Sequence, residues 1–296
     1  MLGADSPEPG MDMARRSADW AAFTPQGKPF DFSGARLRKA WDGLHAGDGE
    51  PWPDVERAQG LIDALGRPPK GHDATSLSAA LVDAWRLFHE GDFQSAFQAG
   101  SALGPAGTSV ACKALVIHAS HLVDDPDEQL ERYQQAADLA EAAIKALPGE
   151  ANSHYRRAHA LGRYSQGISI AKALKKGLAG KVRECLEAAL ELEPEHAEAH
   201  TALALYHAEI IDKVGSMLGG LTYGAKASEA RSHIRQAIKL TPQAPIVHVE
   251  HAHLLLMLDG EDGEDAAATA FEKASRLKPR DAMEALDAAF AAAQIE

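Results

Sequence analysis

The residues best suited to chemistry in this sequence are its histidines. His154, His200 and His248 each stand six positions after a proline, and His159, His207, His251 and His253 follow on the same stretches. Imidazoles three apart on a helix, such as His248 and His251, share a face and so have the spacing of a metal or proton site. The pattern stops short of one, because there is no HExxH run and no Cys/His cluster with zinc spacing. Cys112 and Cys185 lie far apart with no second thiol near either, which suits buried structural thiols better than a disulfide framework. The histidine column is therefore expected to serve helix packing.

Other chemical signatures also fail on a named residue. The acid run over 259–265 has Ala270 where a calcium loop needs its twelfth-position acid. In the stretch Gly162-Arg163-Tyr164-Ser165-Gln166-Gly167, arginine occupies the first glycine of a nucleophile elbow. The glycines at 215, 219, 220 and 224 are followed by Ala225 and Lys226 rather than the Lys-Ser/Thr pair of a phosphate loop. With no Ser/His/Asp or Cys/His assembly to nominate, the chain is expected to be non-catalytic, with no metal and no cofactor.

The elements that position these residues repeat. Pro148, Pro194, Pro242 and Pro279 each have alanine five positions earlier: Ala143, Ala189, Ala237 and Ala274. Eight positions earlier stand Ala140, Leu186, Ile234 and Phe271, and ten positions after the first three prolines stand Ala158, Ala204 and Ala252. Small residues before and after a helix-ending proline mark a joint where two helices press together. This pattern, with Gly91-Asp92-Phe93-Gln94-Ser95-Ala96 as an earlier turn, resembles the tetratricopeptide repeat over residues 75–296. The resemblance implies an all-α solenoid of stacked antiparallel helix pairs.

Composition agrees with an all-helical chain. It is 45% hydrophobic with only 6% aromatic, the balance being largely Ala and Leu, strong helix formers. A formal charge of −13 argues against nucleic acid as a partner. No apolar run is long enough to span a membrane, and the first residues lack the positive start and apolar run of a secretory signal, so the cytoplasm is the expected location.

Residues 1–28 mix Pro, Gly, Ser and charge and are expected to form a mobile arm with a short helix near 13–23; residues 29–74 are expected to cap the open end of the array. Helix pairs are predicted over 75–90 with 92–103, 108–123 with 126–147, 151–165 with 181–192, 197–217 with 226–240, and 245–258 with 264–277, then a closing helix over 280–293. Asp125, Pro126 and Glu128 read as a helix start with a capping box.

The proline spacings of 46, 48 and 37 exceed the roughly 34-residue tetratricopeptide period. The surplus lies in two inserts, 167–180 and 214–224, which must emerge on the same side of the array. The first reads as a short basic amphipathic helix, with Ile168, Ala171, Leu174 and Leu178 on one face and Lys172, Lys175 and Lys176 largely on the other; the second puts Met217, Leu218 and Tyr223 on a glycine-rich loop. Such inserts, with Tyr223-Gly224-Ala225 before the next helix, resemble two groups over about 155–256: the T-components of tripartite transporters, and the regulators of microtubule dynamics, which include lipid-handling members.

The candidate binding residues are thus Ile170, Leu174, Lys175, Met217, Leu218 and Tyr223 in the inserts, with His200 and His248 in the array. The expected function is a protein-interaction scaffold that holds a protein or peptide segment on its concave face. The alternative is a carrier or sensor of an apolar small molecule or lipid enclosed under the inserts.

Overall fold

In the computed structural model, residues 20–295 are described; the rest of the expected N-terminal arm lies outside them. The described residues are helical, without strands. Helices α1 (Arg36–Leu44) and α2 (Val55–Leu65) precede five pairs: α3 (Ala74–Glu90) with α4 (Phe93–Ala102), α5 (Thr108–Leu122) with α6 (Pro126–Ala146), α7 (Ala151–Gln166) with α9 (Leu178–Leu192), α10 (Ala197–Val214) with α12 (Ala227–Leu240), and α13 (Pro245–Asp259) with α14 (Glu264–Arg276). The chain closes with α15 (Ala282–Ala293), and the two inserts hold the short helices α8 (Ile170–Lys175) and α11 (Ser216–Tyr223).

Local chemistry sets the helix ends. Asp54, Asp73, Asp92 and Asp281 each accept a hydrogen bond from the backbone N–H three residues on, satisfying a donor that the first helical turn leaves free. Asp125 caps α6 with Pro126 in its first turn, as the sequence implies, but it accepts from Asp127 N. Glu128 pairs with Arg132 at 2.6 Å instead of completing a capping box.

The joints are as tight as their small residues require. Ala140, Ala143, Ala189, Ala204, Ala237, Ala252 and Ala274 are fully buried. The histidine column has a further role there: His154, His200 and His248 hydrogen-bond through Nε2 to the carbonyls of Pro148, Pro194 and Pro242, at 2.9, 3.0 and 2.9 Å. Each imidazole thereby satisfies a carbonyl stranded just past a helix end.

The N-terminal segment does more than cover an end. Helix α2 packs on α3, as an end cap should, but residues 20–50 fold against the rest of the array. Trp20 stacks on Phe97 and lies under the Arg132 guanidinium, and His118 donates to the Ala21 carbonyl at 2.9 Å. Residues 20–23, expected in the arm, are thus docked by aromatic burial. Trp41 and His45 join Trp85 and His89 in a buried ring cluster. The loop after α1 then runs as a strap across the starts of α5, α7 and α10.

The far end of the chain returns to the same place. Asp281, just before α15, pairs with His89 of α3 at 2.6 Å, and Ala282 belongs to the Trp41–Trp85 core. Contact between the first and last units turns the concave face into a half-enclosed interior.

Candidate functional site: a cavity inside the closed array

The interior is lined mainly by α5, α7, α10 and α13, the first helices of the second to fifth pairs, with the start of α9 joining them. On α7 the inward residues include Tyr155, Arg156, His159, Gly162, Arg163 and Gln166, and on α10 they include Glu198, Thr201, Ala202, Leu205, Tyr206, Glu209 and Ile210. Both series advance by three or four residues, one stripe of a helix. Together with parts of α5, α9, α13, α15 and both inserts they line a half-open cavity of about 390 Å³.

One end of this cavity is charged, and its charges pair with one another, with only Arg156 Nε left without a partner in that cluster. Asp48, carried in by the strap, has a side chain with no exposure and meets Lys113 Nζ at 2.6 Å, Arg156 Nη2 at 2.5 Å and His45 Nδ1 at 2.8 Å. Glu198 takes the second side of both cations, at 3.0 Å from Lys113 and 3.1 Å from Arg156. Burial pushes the Asp48 carboxyl up, but Lys113, His45 and Arg156 outweigh it and hold it well below the usual carboxylate range. The strap is pinned by its backbone as well: Glu198 N donates to Gly47 O at 2.9 Å, and Asn152 Nδ2 to Asp48 O at 3.0 Å.

Further along the wall, Arg163 meets Glu250 at 3.0 Å, and His253 contacts the other carboxylate oxygen at 2.8 Å. Burial opposes ionisation of Glu250, yet the His253 hydrogen bond and the Arg163 charge bring it to about 2. Burial, with Arg163 beside it, pushes His159 down to about 3, so this ring faces the cavity neutral. The other end is apolar: Ile168, Ile170, Ala173 and Leu174 of the first insert, Leu178 and Val182 of α9, and Ile210, Val214 and Tyr223.

The predicted site residues separate into three places. Ile170, Leu174 and Tyr223 border the cavity. Lys175, Met217 and Leu218 point to solvent at its rim. His200 and His248 lie at the joints. The second insert is a helix where a loop was expected: Gly215 ends α10 with a positive φ of 83°, and the chain coils again, with Gly219 set against Ile210. Tyr223 is anchored by its carbonyl, which accepts from Tyr206 Oη and Arg183 Nη1, both at 3.1 Å. At Gly224, φ is 65°, the left-handed region that favours glycine, while an added Cβ would need only the mobile end of Arg183 to shift.

Sequence reasoning missed the charged wall: Asp48, Lys113, Arg156, Arg163, Glu198 and Glu250. The readable signal was the three-to-four spacing of polar residues along α7 and α10, opposite the small-residue column. Among the described residues, no group of three or more His, Cys, Asp or Glu side chains could hold a metal. The Cys112 thiol is buried, which pushes it up to about 12, and it donates to Ala136 O at 3.3 Å.

Compared with known proteins, residues 110–244 match the family model described as regulator of microtubule dynamics protein 1-3. Among solved structures, the thermophilic TPR protein TTC0263 of Thermus thermophilus is 17% identical with a TM-score of 0.51, over 73% of this chain and 99% of that one. The fold is TPR-like, an array of helical repeats. The TPR-like array resembles other solved structures less closely in shape. MamA from Desulfovibrio magneticus RS-1 (residues 41 to the end) has 19% identity and a TM-score of 0.37, over 68% of this chain and 94% of that one. The human IFIT1 dimer with PPP-AAAA has 13% identity and a TM-score of 0.38, over 84% and 58%. No curated protein matches the chain. The family match covers the units that carry both inserts, beginning earlier and ending sooner than the 155–256 stretch expected from sequence. Among the described residues, no helix of the TPR-like array is long and apolar enough to cross a membrane.

Proposed function

We propose that the protein is a non-catalytic binding scaffold whose occupant is an apolar ligand held in the central cavity. The observation that carries this reading is the cavity itself. At about 390 Å³ it falls within the roughly 300–1,000 Å³ of small-molecule sites. The strap fills the interior beside α3 and the starts of α5, α7 and α10, so an extended peptide has no continuous track along the repeat. An apolar ligand body fits between Ile170, Leu174, Val182, Leu205 and Ile210. A polar end fits toward Arg163, Thr201 and His159. The charged groups there are already paired, so they orient such a ligand at little desolvation cost.

Native mass spectrometry of the purified protein, together with titration by the neutral dye Nile red, tests the proposal. One ligand or dye per chain is expected, and Ala202→Phe, which fills the cavity from its wall, should abolish it while the helical circular dichroism persists. Unchanged dye binding in that variant would place the site elsewhere. Co-purification of a peptide in place of a small molecule would favour the protein-segment occupant.

A further inference from the structure

The five most exposed large hydrophobic side chains among the described residues all lie in the two inserts: Leu221 at 82%, Met217 at 79%, Leu218 at 54%, Ile170 at 49% and Leu174 at 48%. On α11 this exposure follows from how the helix is held. Gly219 faces inward against Ile210, and Met217 and Leu221, two positions to either side, fall on the opposite face of the turn. Nothing in the fold needs these side chains outside. A contiguous apolar surface on a helix so anchored is a docking feature.

The charge around them is as unusual as their exposure. Residues 167–181 carry Lys172, Lys175, Lys176 and Lys181, and residues 213–228 carry Lys213 and Lys226; neither stretch contains a single acid, in a chain whose formal charge is −13. Both inserts border the same cavity, through Ile170 and Leu174 on one side and Val214 and Tyr223 on the other. The apolar side chains and their lysines therefore share one rim.

We infer that this rim docks on an anionic lipid surface, with Met217, Leu218, Leu221, Ile170 and Leu174 entering the headgroup boundary and the lysines pairing with its phosphates. Exposed apolar side chains and lysines carried on the same short stretches are the chemistry of interfacial binding, in which area burial and electrostatic attraction add. The acidic remainder of the chain is repelled by the same surface, so the attraction also fixes orientation, with the cavity mouth against the lipid. The inference deepens the proposed function, since docking would present the cavity to an apolar ligand source; it shares Ile170 and Leu174 with the cavity but is carried by Met217, Leu218, Leu221, Lys172, Lys175 and Lys176, which do not line it, and so it stands or falls separately.

The test is flotation of the full chain with vesicles of phosphatidylcholine alone and with about one-third phosphatidylserine. Binding is expected with phosphatidylserine only, and it should weaken as salt rises. Each lysine near such a surface is worth a factor of about five, so Lys172→Gln/Lys175→Gln/Lys176→Gln should lose roughly 100-fold in partitioning. Met217→Ser/Leu218→Ser/Leu221→Ser should lose it as well, with an unchanged helical signal because these side chains support no core. Both variants should still bind Nile red. Failure to float with either vesicle, equal flotation of parent and variants, or capture of a soluble acidic protein in place of vesicles would overturn the inference; loss of Nile red binding with flotation intact would instead count against the cavity reading alone.

Discussion

Replacing Asp48 with asparagine would test whether the strap is held by charge. Asn has the shape of Asp, so the substitution leaves no hole, and its cost is the lost charge and its hydrogen bonds. The side chains of Asp48, Lys113 and Arg156 are 0%, 3% and 1% exposed, and Glu198 is 16% exposed. In the parent, two cations face two carboxylates. In Asp48→Asn, two cations face Glu198 alone, and an uncompensated charge remains where water barely reaches. Breaking a buried pair in this way costs about 3–5 kcal/mol. Urea unfolding followed by circular dichroism should show that loss at pH 7. Lys113→Met made in the Asp48→Asn background restores balance between Arg156 and Glu198, so the double variant should be more stable than the sum of the singles by about 1–3 kcal/mol. A loss below about 1 kcal/mol for Asp48→Asn, with strict additivity in the double, would refute the buried cluster.

Other perturbations check the joints and the titration behaviour. Ala189→Leu and Ala237→Leu, both at positions with no exposure, should each destabilise by about 1–3 kcal/mol through overpacking, measured by the same unfolding curves. His248→Phe should cost about 1–2 kcal/mol more than His248→Gln, because phenylalanine strands the Pro242 carbonyl and glutamine can still donate to it. Stability should fall as pH drops from about 6.5 to 4, where His45 and His196, held near 4 chiefly by burial, stay neutral while the unfolded chain takes up protons. Glu50 acts in the opposite sense: burial and then Asp48 raise it to about 7, so the native state keeps a proton that the unfolded chain has released. The stability gained by Glu50→Gln should therefore grow between about pH 4.5 and 7 and level above it, in unfolding curves across that range.

The array was legible because stacking repeats itself. The same joint needs the same alanine four times, and a proline that cannot continue a helix marks each end, so Ala143, Ala189, Ala237 and Ala274 announced both the units and their burial. Most predicted helix ends fall within a residue or two of those observed. The interior was harder to read because its partners are far apart in sequence. Asp48 is 65 residues from Lys113 and 108 from Arg156, and no local period connects a loop after α1 with the second and third pairs. Closure by α15 was equally hidden, since His89 and Asp281 are 192 positions apart. The inserts stood out as surplus length, which located the rim but not the cavity behind it.

The strap and the closing helix together decide what kind of binding this array can perform. An open solenoid of these pairs would expose a groove running past α3, α5, α7, α10 and α13, suited to an extended chain. Here Asp48 is fixed to α5 and α7 and the loop backbone to α10, while Asp281 ties α15 to α3, so the groove is shortened from within and its first and last units are joined. The buried charges add little net stability against an apolar core of equal volume. What they supply is register: a one-residue slip of the strap would move Asp48 from its three partners and leave Lys113 and Arg156 unpaired. A wall fixed in this way needs no ordering when a ligand enters, which removes a cost that loop-built sites must meet. If the cavity holds a ligand as proposed, selection would fall to the inserts, the part of the cavity boundary made of short helices and glycine turns, and the part that differs between units that otherwise repeat.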